Sequence, residues 1–164
     1  MGKNTPSAAP ENEGESTQHI VINTQYIKDL SFENPYAPAS LIAPKSKPNI
    51  DLSIDIKAQA LQEKTFEVIL HITAKAKTDE KPLFIIDLSY AGVFTLNSIE
   101  EKDKEPVLLV YCPNMLFPFA RRIIADVTRD GGFPPLMIDP VDFFALYQKR
   151  QNDVTTSKEE EKVK

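Results

Sequence analysis

The chain has 164 residues, 41% of them hydrophobic and 26% charged, with a formal net charge of −5. That length holds one domain with a modest core, and an acidic balance without a basic stripe argues against nucleic acid as a partner. No apolar run approaches the roughly 18 residues that span a bilayer, and the N-terminus MGKNTPSAAPENEGES lacks the apolar segment of a secretory signal, so a cytoplasmic protein with no membrane insertion is expected.

Residues 1–17 are rich in Pro, Ser, Glu and Asn and are expected to form a disordered tail, because they cannot bury enough apolar area to offset their ordering entropy. A first strand is expected from about His19 to Phe32, carrying Ile20, Ile22, Tyr26, Leu30 and Phe32. Residues 34–49, NPYAPASLIAPKSKPN, contain four prolines and read as an extended crossover loop, since proline cannot donate to a strand ladder. The first strand can therefore cross over and sit away from the second.

From Asn49 the pattern is clear. Ile50, Leu52, Ile54, Ile56, Ala58 and Ala60 alternate with Asp51, Ser53, Asp55, Lys57 and Gln59, the mark of a strand with one wet face. After a tight connection at Glu63-Lys64, a second alternating run carries Phe66, Val68, Leu70, Ile72, Ala74 and Ala76. A turn at 78–82 leads to a strand from about Leu83 to Leu96, whose Ala91-Gly92 pair predicts a bulge or a close backbone approach. Short connections imply antiparallel pairing.

Beyond the strands the period changes. Ser98-Ile99-Glu100-Glu101 has the form of a capping box and predicts a short helix before Pro106. Pro118 opens a second helical stretch ended by Gly131-Gly132. Asp139 is expected to cap a last helix with Pro140 at its first position, and residues 152–164, NDVTTSKEEEKVK, to form a second disordered tail. The fold class is therefore α+β, a four-stranded antiparallel sheet with helices packed on one side. Its Leu83–Leu96 strand, apolar on both faces, and its helical segment carry more apolar surface than a monomer can hide, which predicts a symmetric homo-oligomer.

Candidates for chemistry are scarce. The two histidines, His19 and His71, have no metal-ligand spacing, and five glycines supply no phosphate loop. Nothing resembles a nucleophile elbow, and Asp51 and Asp55 read as the wet side of a strand. Cys112, the one cysteine, cannot form an internal disulfide and reads as a small buried hydrophobe. No enzyme, metal or cofactor is expected.

Residues 111–144 are apolar, cut by Pro113, Pro118, Pro134, Pro135 and Pro140, and suit a surface that docks on other chains. Cys112-Pro113-Asn114, Leu116-Phe117-Pro118 with Ala120-Arg121, Gly132-Phe133-Pro134 and Pro140-Val141 with Phe143 resemble SecB, the bacterial protein-export chaperone family. Lys28-Asp29-Leu30-Ser31-Phe32-Glu33, Pro35 and Ala37-Pro38 match the same family in the same order. The resemblance covers about residues 18–151. It implies an ATP-independent holdase that binds unfolded precursor proteins and delivers them to the SecA motor, working as a homotetramer built as a dimer of dimers.

By the same resemblance, Asp29, Glu33, Ile85 and Asp87 would dock SecA. Tyr36, Leu41, Ile42, Phe84, Ile86, Leu88, Leu136, Phe143, Phe144 and Tyr147 would line the client groove. A helix at about Asn114–Arg129 would pack in the tetramer through Met115, Leu116, Phe119, Ile123, Ile124 and Val127. Two other readings compete: a relative dedicated to one partner, such as an antitoxin, and a small-ligand binder with an apolar pocket.

Overall fold

The computed structural model describes residues 19–42, 47–78 and 81–162, with side chains to residue 154; the expected N-terminal tail lies outside them. Four strands, β1 (His19–Glu33), β2 (Asn49–Gln62), β3 (Thr65–Thr78) and β4 (Lys81–Asn97), form one antiparallel sheet in the order β1-β4-β3-β2. The Pro-rich crossover carries β1 past β2 and β3 to the far edge, beside β4. A short 3-10 turn at Ala39–Leu41 interrupts that crossover.

Alternation decides the two faces. Val68, Leu70, Ile72 and Ala74 on β3 and Ile86, Leu88, Tyr90, Phe94 and Leu96 on β4 point the same way and form the core. On β2 only Ile56 of the alternating set is buried, and Leu52 is exposed, because the helical layer covers the two central strands and leaves the edges open. On β1, Ile22, Ile27 and Leu30 are exposed for the same reason, and Val21, paired with Thr95, is exposed on the opposite face.

The Ala91-Gly92 pair marks a close approach, and the bulges lie on the facing strand. A Cβ at Gly92 would sit 2.7 Å from Phe94 Cε2 and 2.9 Å from Leu116 Cδ2. Gly92→Val is therefore expected to cost about 1–3 kcal/mol through overpacking between sheet and helix; a urea unfolding midpoint equal to wild type would refute this contact. Register shifts on β1 fall between Ile22 and Thr24 and between Ile27 and Asp29. They reset the parity of the strand, so Tyr26, which regular alternation puts beside Ile22 and Leu30, pairs with Ala91 on the opposite face.

The helical layer departs from expectation. Three segments, α1 (Glu101–Pro106), a π turn (Val107–Tyr111) and α2 (Cys112–Asp130), run on as one helix, Glu101–Asp130. The capping box does not form: Ser98 has φ 56° and the helix starts after Glu100. Pro106 does not stop the helix. Pro113 removes the donor for the Leu109 carbonyl, and the π turn that spans Leu109 widens the helix where that bond is missing. This helix is long and apolar enough by composition to cross a membrane, which a search for uninterrupted apolar runs does not detect; here its apolar side lies on the sheet.

Gly131 and Gly132 end α2 as expected. The amides of Gly132 and Phe133 donate to the carbonyls of Arg129 and Thr128, at 3.0 and 3.1 Å, with Gly132 at φ 89°. This is a left-handed cap that glycine tolerates without strain. The buried Thr128 hydroxyl accepts from the Leu136 amide at 2.9 Å and so pins the following strap to the helix. The last helix, α3 (Phe143–Lys162), is capped by Asp142, whose Oδ1 accepts from the Ala145 amide at 2.9 Å, and not by Asp139. It continues through most of the stretch assigned to a disordered tail. That stretch, rich in Lys and Glu, contains no Pro or Gly, so its backbone propensity is helical even though it has little to bury.

Candidate functional site

The uncovered face of the sheet brings together the four residues assigned to docking. Asp29 pairs with Ser89, Ser31 with Asp87, and Glu33 with Ile85, which puts Asp29, Glu33, Ile85 and Asp87 on one face of two adjacent strands. Asp29 and Glu33 are exposed, while Ile85 and Asp87 are half-buried. The Asp87 carboxylate lies 2.8 Å from His71 Nε2 and accepts from the Thr73 hydroxyl at 3.2 Å, both on β3. Three carboxylates beside one aliphatic side chain can attract a basic partner and bury a small apolar contact.

Further along the same face lies a buried acid, which strand alternation alone reads as part of the wet side. Glu67 on β3 is only 4% exposed. Lys28 Nζ reaches its two oxygens at 2.8 and 2.9 Å, and the Tyr26 hydroxyl and the Gln59 amide also donate to it. Burial on its own would raise the Glu67 carboxyl. The hydrogen bonds from Lys28, Tyr26 and Gln59, with the Lys28 charge, outweigh it and hold the group below its ordinary value. The Tyr26 hydroxyl, donating to Glu67 and partly buried, is pushed up to about 12. A visible signal existed, since Tyr26, Lys28 and Glu67 all stand in strand segments, but only the β1 bulge puts them on one face.

The client-groove assignments divide. Tyr36, Leu41, Ile42 and Phe144 are exposed, Ile42 at 73%, and Leu136 and Tyr147 are half-buried. Phe84, Ile86, Leu88 and Phe143 are core residues: Ile86 and Leu88 are fully buried beneath the helix, and Phe143 packs edge-on against Phe117 at 5.8 Å. Strand parity puts Phe84, Ile86 and Leu88 on one side, and that side is the covered one, so within one chain they are buried and offer no accessible surface.

The accessible residues form two patches. Leu41 lies against Gly132, next to a cluster in which Phe84 meets Phe133 at 4.9 Å and Phe32 at 5.8 Å. Phe32 and Phe133 were absent from the sequence assignments, although Gly132-Phe133-Pro134 was part of the recognised wording. Tyr147 lies elsewhere, in a cleft of about 310 Å3 with Ile54, Ile56, Leu109 and Leu146 at the β2 edge. There Arg150 donates to the Ile56 carbonyl at 3.0 Å and occupies part of the strand edge.

The interface assignments divide by helical position. Leu116 and Ile124 are fully buried on the sheet, so they are core and cannot meet another chain. Met115, Phe119, Ile123 and Val127 repeat at four-residue spacing along the flank of the buried face, with Met115, Ile123 and Val127 packed partly against the core and Phe119 stacked on Tyr90, and the exposed Tyr111 extends that stripe. A helix whose apolar residues extend past its buried face is expected where it is sandwiched between layers.

Cys112 is fully buried, and burial pushes its thiol up to about 12. Its thiolate population at neutral pH is then roughly 10³-fold below that of a free thiol. The folded protein is expected to resist a disulfide reagent and to react in denaturant; fast reaction without denaturant would contradict this placement. Among the described residues no group of His, Cys, Asp and Glu is arranged to hold a metal ion.

Comparison with known proteins follows the same lines. The family model described as preprotein translocase subunit SecB matches residues 13–154. A protein-export protein SecB of Maricaulis maris is 52% identical over 143 residues, covering 87% of this chain and 83% of its own length. One from Rickettsia felis is 54% identical over 140 residues, covering 85% of this chain and 92% of its own. Among solved structures, a SecB-like chaperone of Mycobacterium tuberculosis in complex with an antitoxin peptide matches with a TM-score of 0.63 at 17% identity, covering 74% of this chain and 90% of that one. That likeness concerns the fold: a four-stranded antiparallel sheet with helices on one side.

Proposed function

The chain belongs to the SecB family, and from that premise we propose that it holds unfolded precursor proteins for export and delivers them to SecA. It is an export chaperone and not an enzyme in the sense of its family. The observation that best supports delivery is the convergence of Asp29, Glu33, Ile85 and Asp87 on one exposed face. The physics of holding is linkage: a protein that binds only the unfolded chain draws the folding equilibrium toward it, without ATP.

Clients meet the accessible apolar patches at the exposed Tyr36, Leu41 and Ile42 and at the exposed Phe144 with the half-buried Tyr147. Apolar contact gives affinity without sequence selectivity, and several patches on one assembly add avidity. The flanking stripe Tyr111, Met115, Phe119, Ile123 and Val127 and the exposed apolar residues of β1 are surfaces for assembly into a tetramer. The working compartment is the cytoplasm, before clients cross the membrane.

A second reading has one observation in its favour, the fold shared with a chaperone bound to an antitoxin peptide. Binding of several unrelated proteins, each in a permanently unfolded and in a folded form, separates the two. The export reading expects micromolar or tighter binding of every unfolded form and none of the folded forms. Binding of only one of the unfolded chains would move the dedicated-partner reading ahead.

A further inference from the structure

The β1 bulge creates an electrostatic problem that Glu67 solves. By skipping one place in the pairing between Ile27 and Asp29, it turns Lys28 and Asp29, neighbours in sequence, toward the same open face. An unrestrained lysine there, with three donors on a flexible stem, has the Asp29 carboxylate next to it in the chain as a counter-charge. It would then neutralise the group that has to meet a basic partner. Instead the Lys28 ammonium is drawn across β4 to Glu67 on β3, with contacts to both carboxylate oxygens at 2.8 and 2.9 Å. Tyr26 and Gln59 donate to the same carboxylate from β1 and β2, so Glu67 is held from the strands on both sides. Lys28 keeps a 43% exposed side chain while its partner is 5% exposed. The ammonium is thus anchored on Glu67, and among the described residues its ion pair is with that carboxylate.

We infer that Glu67 is a positioning residue for the docking face: it sequesters Lys28 and so leaves Asp29 uncompensated for a basic partner. This rests on the docking role proposed for Asp29. Glu67 touches no partner itself; it acts through Lys28.

The test uses the full chain and SecA. Glu67→Gln keeps the shape and removes the charge, and SecA affinity is expected to fall up to about fivefold, the scale of one exposed charge pair. Lys28→Met added to Glu67→Gln is expected to restore affinity to within about twofold of wild type. Lys102→Met added to Glu67→Gln restores the same net charge at a remote exposed site, and no recovery is expected. Circular dichroism melts show that each variant is folded. A purely structural role for Glu67 predicts no rescue by Lys28→Met, and that outcome overturns the inference; so does equal rescue by both second substitutions.

If wild type does not bind SecA at all, the docking reading fails and a partner-free readout decides the rest. In nitrogen-15 spectra the Lys28 ammonium protons are expected to exchange slowly enough to be seen in wild type and to vanish in Glu67→Gln. Identical signals in both proteins would overturn the sequestration itself.

Discussion

Asp29→Ala/Glu33→Ala is expected to weaken SecA binding roughly 10- to 100-fold and to leave capture of unfolded chains unchanged. The two carboxylates are exposed on the sheet face opposite the helices, with Asp87 on the neighbouring strand. Charges at the rim of an interface contribute about 1 kcal/mol each and act chiefly on the association rate. Because both are exposed, stability is expected to stay within about 0.5 kcal/mol of wild type. The wild-type affinity is expected to fall as salt is raised through the range where the Debye length shrinks below about 10 Å, and the variant to show a shallower dependence. Titration calorimetry with SecA and, separately, with an unfolded precursor reads both effects. Loss of both activities together would mean that the two surfaces are one.

The second large effect is on stability. Glu67→Gln is expected to cost about 1–3 kcal/mol at pH 7, the scale for hydrogen bonds to a buried charge, moderated because Lys28 can rehydrate at the surface. The pH dependence follows from the direction of the Glu67 shift. Folding holds this carboxyl below its ordinary value, so over the acid range the unfolded chain binds the proton more readily than the folded one. Stability from Glu67 is then complete above the ordinary glutamate value of about 4.3 and is lost as the pH falls below it through the folded value. Chemical denaturation of wild type and Glu67→Gln at a series of pH values tests this. The gap between them is expected to be constant from pH 7 to about 5 and to close on further acidification. A gap that widens on acidification would contradict the assignment.

Much of this architecture can be read from residue order, and the parts that cannot have identifiable causes. The alternation from Ile50 to Ala60, from Phe66 to Ala76 and from Phe84 to Tyr90 makes β2, β3 and β4 visible as strands, and their short turns imply antiparallel pairing. The four prolines between 34 and 49 show that β1 leaves its sequence neighbour. Alternation gives two faces but does not say which of them is covered, so it does not show that Ile86 and Leu88 lie beneath the helix and that Phe84 is buried against Phe32 and Phe133. Bulges are single-residue events with no marker in the order of Asn23 or Lys28, so the face of Tyr26 was hidden, and with it the cluster around Glu67.

The long helix was obscured by its own prolines. Pro106, Pro113 and Pro118 each read as a boundary, yet a π turn and a supporting sheet carry the helix through them. The docking set proposed here rests on the family resemblance: nothing in the charge of Asp29 or Glu33 separates them from other exposed acids. Strand register then places them with Ile85 and Asp87, which lie more than 50 residues further along the chain.

The central claim, that this protein binds unfolded chains and so withholds them from folding, is tested most directly by refolding. A slow-folding precursor is diluted from denaturant with and without the protein, and native structure is followed by fluorescence. The account predicts that refolding stalls at near-stoichiometric amounts of the assembled chaperone and resumes when SecA is added, with Asp29→Ala/Glu33→Ala still stalling but no longer releasing to SecA. A refolding rate unchanged by an excess of the protein would contradict it.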